Sequence, residues 1–230
     1  MEEILEGLDV TCYIDDLGIW TNGTFDEHLE LVDKVLQRLA ASNLKTNPLK
    51  CNWGVRETDF LGYEMTPDSC KPMKMKIDAL LKMSAPNNKK QIRSFLGAVN
   101  FYKSMWPRRT HVLAPLTRLT GQVPFNWDPT CQQAFDEMKA VLATDCLNMY
   151  ADLNKPFTIV CDASDYQLGS CILQDGRPVA YWSKSLSTAQ NNYTTTEKEL
   201  LAIVLTLKEY RWMLLGGRLL IYTDHKNLTF

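Results

Sequence analysis

The 230-residue chain is 45% hydrophobic and 23% charged, with a formal net charge of −2, a balance that fits a globular protein with a sizeable core and excludes a low-complexity or strongly polyionic chain. No run of about 18 apolar residues is present, so no membrane span is expected, and the start MEEILEGLDV lacks the basic end and apolar stretch of a secretory leader. Seven cysteines (Cys12, Cys51, Cys70, Cys131, Cys146, Cys161 and Cys171) are odd in number and never form C-x-x-C, which argues for reduced, mostly buried thiols in a cytoplasmic protein.

In chain order, the first notable stretch is CYIDDLGIW, residues 12–20. Alternating Val10, Cys12 and Ile14, then Leu17 and Ile19, read as two short strands, and Asp15-Asp16 would be the turn between them. A plain hairpin turn favours Asn-Gly or Asp-Gly, whereas two adjacent carboxylates repel unless a cation compensates them. A simple turn and a metal-binding turn both remain open at this point.

TFDEHLELVDKVLQRLAAS reads as an amphipathic helix, with Thr24 and Glu27 as a capping box and Leu29, Val32, Val35, Leu36 and Leu39 as its apolar stripe. FLGYEMTPDS follows as a short strand ending in a Pro-Asp turn. KIDALLKM and NKKQIRSFLGAVNFYKSM read as helices, the second with Ile92, Phe95, Leu96 and Val99 on one face and the basic residues opposite. From Lys71 to Arg118 there are eleven Lys or Arg and one acid, Asp78, a charge of +10; the rest of the chain carries −12. A solvated lysine face would account for such a block, but Phe101, Tyr102 and Trp106 beside PRR favour contact with a polyanion.

Pro115, Pro124 and Pro129 are expected to interrupt the next stretch, around one clear helix in CQQAFDEMKAVLAT. Beyond Pro156 the pattern changes to FTIVCDA, QLGSCILQ and RPVAYWSKSL, three β-rich runs. A helix capped by Thr194 and Glu197 follows, with Leu200, Ile203, Val204 and Leu207 expected inward, and then the strand RLLIYTD. Three meandering strands, a helix and a strand parallel to the first make a mixed α/β sheet. Asp162 and Asp224 end neighbouring parallel strands in this reading, and Glu199 lies in the first turns of the crossing helix, so the three carboxylates can converge on a hard divalent cation such as Mg²⁺. Taken singly, each is equally well read as a strand-end cap or an exposed helix acid.

YIDD, TDFLGY, QIRSFLGAVNFYK, APLTRLTG, FNWDPTCQQAFDEMK, CDASDYQLGSCILQ, SKSLSTAQNNYTTTEKELLAIV and YTDHKNL, in that order, resemble the reverse transcriptase and RNase H segment of gypsy-type LTR retrotransposon polyproteins across essentially the whole chain. The resemblance implies an α+β, multi-domain fold. Residues 1–70 would be a partial polymerase palm, 71–118 a basic helical thumb, 119–156 a connection and 157–230 an RNase H-like mixed α/β sheet. It implies that Asp15 and Asp16 are the palm's metal-binding hairpin carboxylates, that Tyr13 lies near the growing primer end, and that Phe60, Leu61 and Gly62 belong to the hairpin holding the primer. Lys89, Lys90 and Arg93 would contact the duplex. Asp162, Glu199 and Asp224 would be RNase H metal ligands, Glu199 rather than Glu197 because the family acid directly precedes a Leu-Leu-Ala-Ile type run, as Glu199 does in ELLAIV.

The implied cofactor is Mg²⁺, with Mn²⁺ a possible substitute. The implied partners are a template-primer duplex, an RNA/DNA hybrid and the remainder of the polyprotein, with no membrane, inside a virus-like particle. Against the family, the chain is expected to be truncated at both ends, lacking an upstream palm aspartate and a fourth RNase H acid. An inactive remnant that only binds duplex nucleic acid is therefore the alternative expectation.

Overall fold

The computed structural model describes residues 1–144 and 148–224, in two compact units, 1–67 and 68–230. Cys146 and His225 lie outside the described residues.

After a 3-10 turn at Glu2–Ile4, the first unit forms an antiparallel hairpin of β1 (Thr11–Tyr13) and β2 (Asp16–Gly18), in which Tyr13 faces Asp16. The two turn residues are thus Ile14 and Asp15, not Asp15 and Asp16; Asp16 already belongs to β2. Ile14 has φ +55° and Asp15 does not share the positive sign, the φ pattern of a type II′ turn, whose first position normally takes glycine. Helix α1 (Phe25–Ala41) starts at Thr24 with both halves of the capping box formed. Of its expected stripe, Val35 and Leu39 are buried against Leu5, while Leu29 and Leu36 are exposed. FLGYEMTPDS is not one strand: β3 (Thr58–Phe60) and β4 (Tyr63–Met65) form a second hairpin. Leu61 and Gly62, both at positive φ, supply a turn that the strand reading had no place for.

The second unit begins with β5 (Ser69–Pro72) and then α2 (Lys74–Lys82), α3 (Lys89–Phe101), α4 (Arg109–Arg118) and α5 (Pro129–Leu142). Ile92, Phe95, Leu96 and Val99 are buried, as the 3.6-residue spacing predicts, and Phe95 meets Phe135 of α5 with ring centroids 4.8 Å apart. Pro129 opens α5 behind the cap Asp128, but Pro115 does not interrupt the chain: it lies inside α4. Burial of Val112, Leu113 and Leu116 around it opposes a helix-interior proline cost of about 3 kcal/mol.

After the short strand β6 (Asn148–Met149), β7 (Phe157–Ala163), β8 (Gln167–Gln174) and β9 (Arg177–Ser185) form an antiparallel meander. Helix α6 (Thr195–Glu209) and a short α7 (Arg211–Leu214) lead to β10 (Leu219–Tyr222), which pairs parallel to β7. The sheet order is β10-β7-β8-β9. This is the mixed α/β architecture the strand and helix order predicts. On α6, however, Leu200 and Val204 are exposed, and the buried positions are Lys198, Glu199, Ala202 and Thr206. Small Ala202 lets the helix lie close to the sheet, and the Thr206 hydroxyl is buried against Ser170 of β8 at 2.8 Å, a pairing that a hydrophobic-stripe reading has no means to anticipate.

The basic helices are tied to the β9 edge. The Tyr181 amide donates to the Ser104 carbonyl at 2.8 Å, and the Thr110 hydroxyl donates to the Ser183 carbonyl at 3.1 Å. Of the six described cysteines, all free, Cys131 and Cys161 are buried and the other four half-buried, so the thiols are less enclosed than their composition suggests. No described helix is long and apolar enough to cross a membrane.

Candidate active site

Register alone brings two of the three expected carboxylates together. Tyr222 of β10 lies beside Val160 of β7 in a parallel ladder, so two residues further on Asp224 follows Asp162. The alternation of β7 buries Phe157, Ile159 and Cys161 and turns Asp162 out of the core. Gly169 stands directly across from Asp162 on β8 and adds no side chain beside its carboxylate. The third acid, Glu199, is carried in by α6, whose start is fixed by the Thr194–Glu197 capping box. One ligand oxygen from each of Asp162, Glu199 and Asp224 lies within 4.8 Å of the others, with Glu199 buried and the two aspartates exposed.

Glu199 is held from two sides: the Ala163 amide donates to Oε1 at 2.9 Å, and the Thr223 hydroxyl donates to Oε2 at 3.3 Å. Burial raises the Glu199 carboxyl above its ordinary range. The Ala163 amide opposes that rise, Asp224 adds to it, Thr223 opposes it, and Asp162 adds a last contribution. Among the described residues no Lys or Arg forms an ion pair with any of the three. An oxygen-only donor set that is mutually repulsive and lacks a basic partner is chemically suited to a hard divalent cation. Thr223 and the Ala163 amide, which orient Glu199, carry no signal in the sequence except adjacency to Asp224 and Asp162.

The first unit's residues are arranged differently. Asp15 and Asp16 are both exposed at the hairpin tip, as is Tyr13, and among the described residues no third acid or thiol joins them in a cluster. Phe60 stacks edge-on against Trp20, centroids 5.6 Å apart, and Leu61-Gly62 form the tip of the β3–β4 hairpin. In the second unit Lys89 donates to the Gly121 carbonyl at 2.8 Å and Arg93 to the Thr120 carbonyl at 2.9 Å, just past the end of α4, while Lys90 is exposed. Two of the three basic residues therefore satisfy carbonyls at a helix C-terminus, where cations are favoured.

Residues 1–65 match the family model for reverse transcriptase (RNA-dependent DNA polymerase), and residues 127–221 match the model for the RNase H-like domain found in reverse transcriptase. The chain resembles the reverse transcriptase/RNase H segment of retrotransposon polyproteins. It is 35% identical over 94% of its length to the retrovirus-related Pol polyprotein from transposon 297 of Drosophila melanogaster, and 34% identical over 95% to that from transposon opus. The Tf2-3 polyprotein of Schizosaccharomyces pombe is 35% identical over 95% of the chain. The chain spans about a fifth of these relatives: 20%, 23% and 17% of their respective lengths. In fold it is similar to a foamy viral protease-reverse transcriptase solved with an RNA/DNA hybrid, at TM-score 0.87 and 21% identity, covering 97% of this chain and 31% of that one. A related foamy viral structure solved with double-stranded DNA matches at TM-score 0.87 and 22% identity, over 97% of this chain and 40% of that one.

Proposed function

We propose that the 68–230 unit hydrolyses the RNA strand of an RNA/DNA hybrid with the help of divalent cations, Mg²⁺ or in its place Mn²⁺. The observation that supports this most is the convergence of three carboxylates, one of them buried, with no basic partner among the described residues. Asp162, Glu199 and Asp224 would hold the metal, which supplies activation of a water and stabilisation of the leaving 3′ oxygen. The residues of the chain have their own tasks. The Ala163 amide and the Thr223 hydroxyl orient Glu199, and the exposed Asp162 and Asp224 present their carboxylates on the solvent side where a scissile phosphate approaches. The basic helices α2 to α4 would carry the duplex by phosphate neutralisation, with Lys90 free to do so and Lys89 and Arg93 partly committed to the end of α4.

In the intact polyprotein, Asp15 and Asp16 would be metal ligands for RNA-directed DNA synthesis, Tyr13 would lie near the primer end, and Phe60, Leu61 and Gly62 would hold the primer. The four-part division, palm to residue 70, thumb 71–118, connection 119–156 and RNase H-like domain from 157, belongs to the same reading. So does residence in a cytoplasmic virus-like particle.

The test is cleavage of a labelled RNA/DNA hybrid by the purified chain. Cleavage is expected to need Mg²⁺ or Mn²⁺, to spare the DNA strand, and to vanish with Asp162→Asn. Salt-dependent hybrid binding with no cleavage, unaltered by Asp162→Asn, would establish the alternative of a binding-only remnant.

A further inference from the structure

Lys198 and Glu199 are consecutive in α6, and both are buried, at 7% and 1% exposure. Successive helix residues project about 100° apart, so Lys198 and Glu199 stand at the two edges of one buried face, with Ala202 and Thr206 between them. The β7–β8 turn is what α6 grips with both side chains. Glu199 accepts the Ala163 amide at 2.9 Å, and the Lys198 ammonium lies 3.2 Å from Asp165 Oδ1. Between those contacts the turn is closed by the Ser164 amide donating to the Gln167 carbonyl at 2.8 Å. The pair is lopsided, since the Lys198 side chain is 8% exposed and that of Asp165 is 83% exposed. An ammonium taken out of water is costly even when paired, and an apolar residue of similar volume is often as stable or more so, which makes the pair a poor device for stability alone. It does fix the turn immediately after Asp162 to the helix residue immediately before Glu199.

We propose that Lys198 and Asp165 are positioning residues for the carboxylate cluster, clamping the β7–β8 turn so that Asp162 stands at a cation-binding distance from Glu199. The inference rests on the metal reading of that cluster. It acts through geometry, and this gives it a sign opposite to that of simple electrostatics. Removing a positive charge beside three acids tightens cation binding by Coulomb attraction alone, whereas releasing the turn weakens it.

The experiment is a Mn²⁺ titration of the full chain, wild type against Lys198→Met and Lys198→Arg, followed by the free-ion paramagnetic signal, with thermal unfolding measured alongside. Wild type is expected to bind saturably, Lys198→Met about tenfold more weakly, the scale on which groups that orient metal ligands act, and Lys198→Arg to recover most of the loss. Equal or tighter binding by a folded Lys198→Met chain overturns the positioning role while leaving the metal site standing. Absence of saturable binding by wild type overturns the metal reading and the clamp together. Should Lys198→Met fail to fold, Asp165→Asn approaches the same pair from its exposed side. Its readout is hydrogen exchange at the Ala163 amide, expected to accelerate about tenfold relative to Ile159 in mid-strand; unchanged exchange there overturns the clamp.

Discussion

The hairpin acids and the sheet acids carry charge of the same sign into strand-rich sequence, yet the chain treats them in opposite ways. Asp162, Glu199 and Asp224 are gathered from two strand ends and a helix, and Glu199 among them is oriented by a backbone amide and a hydroxyl and withdrawn from water. Asp15 and Asp16 come from one local turn and stay exposed, their placement depending on a backbone that puts a β-branched residue at positive φ. A site built from distant segments is held by core packing. One built on a two-residue turn depends on local strain. The two should therefore respond differently to metal, pH and mutation.

The largest expected difference is in the response to metal. A cation bound at a hundred times its dissociation constant stabilises the folded state by about 2.7 kcal/mol. Calorimetry with and without Mg²⁺ should show such a shift for the wild-type chain and none for Asp162→Asn, whose amide removes charge but little volume. Asp15→Asn should leave the shift intact. A shift lost with Asp15→Asn and kept with Asp162→Asn would invert the comparison.

Next in size is the pH dependence of stability without metal. Because the folded state holds the Glu199 proton above the carboxyl's ordinary range, it retains that proton at pH values where the unfolded chain has lost it. Folding stability from this group is therefore greatest below the ordinary value near 4.5, falls as pH rises through the raised value, and stays at its lower level above it. Glu199→Gln should flatten this decline and raise the metal-free melting temperature at neutral pH, while abolishing the Mg²⁺ shift. A wild-type melting temperature that climbs over that window in step with the variant would remove burial of Glu199 as the cause.

How much of this was legible in the sequence depends on the range of the forces involved. Local chemistry was readable: both capping boxes formed at Thr24 and Thr194, and the spacing of Ile92, Phe95, Leu96 and Val99 gave the buried face of α3. The strand and helix order after Pro156 gave the sheet, and the parallel pairing of β10 with β7 followed from it. Leu200 and Val204 were misleading because apolar spacing cannot report that the helix approaches through Ala202 and Thr206, a contact set by the partner strand. Pro115 was misleading for the same reason, since burial of its neighbours outweighs its local preference. The turn at Ile14 defied prediction because the favoured residues for that position, glycine above all, are absent.

A smaller effect separates the basic residues by role. Lys90→Ala should lower the slope of log affinity against log salt for a duplex by about one unit and leave the melting temperature unchanged. Lys89→Ala and Arg93→Ala should cost stability as well, because each leaves a carbonyl past the end of α4 without its charged donor. Were all three to change the slope equally with no effect on melting, the carbonyl contacts would carry no weight.

The smallest expected effect tests the strained turn itself. Ile14 is 76% exposed, so replacing it forfeits almost no burial, and what remains is backbone energy. An L-residue at positive φ costs roughly 1–2 kcal/mol, which Ile14→Gly relieves, while glycine brings back roughly 0.5–1 kcal/mol of unfolded-state freedom. The net should be a gain of roughly 0–1.5 kcal/mol in denaturant unfolding of the 1–67 region. Ile14→Ala separates strain from side-chain bulk: it keeps the Cβ that positive φ disfavours, so it should gain less than glycine does. A glycine variant clearly less stable than both would mean that Ile14 is selected for a contact, and the hairpin acids would then be held by packing as the sheet acids are.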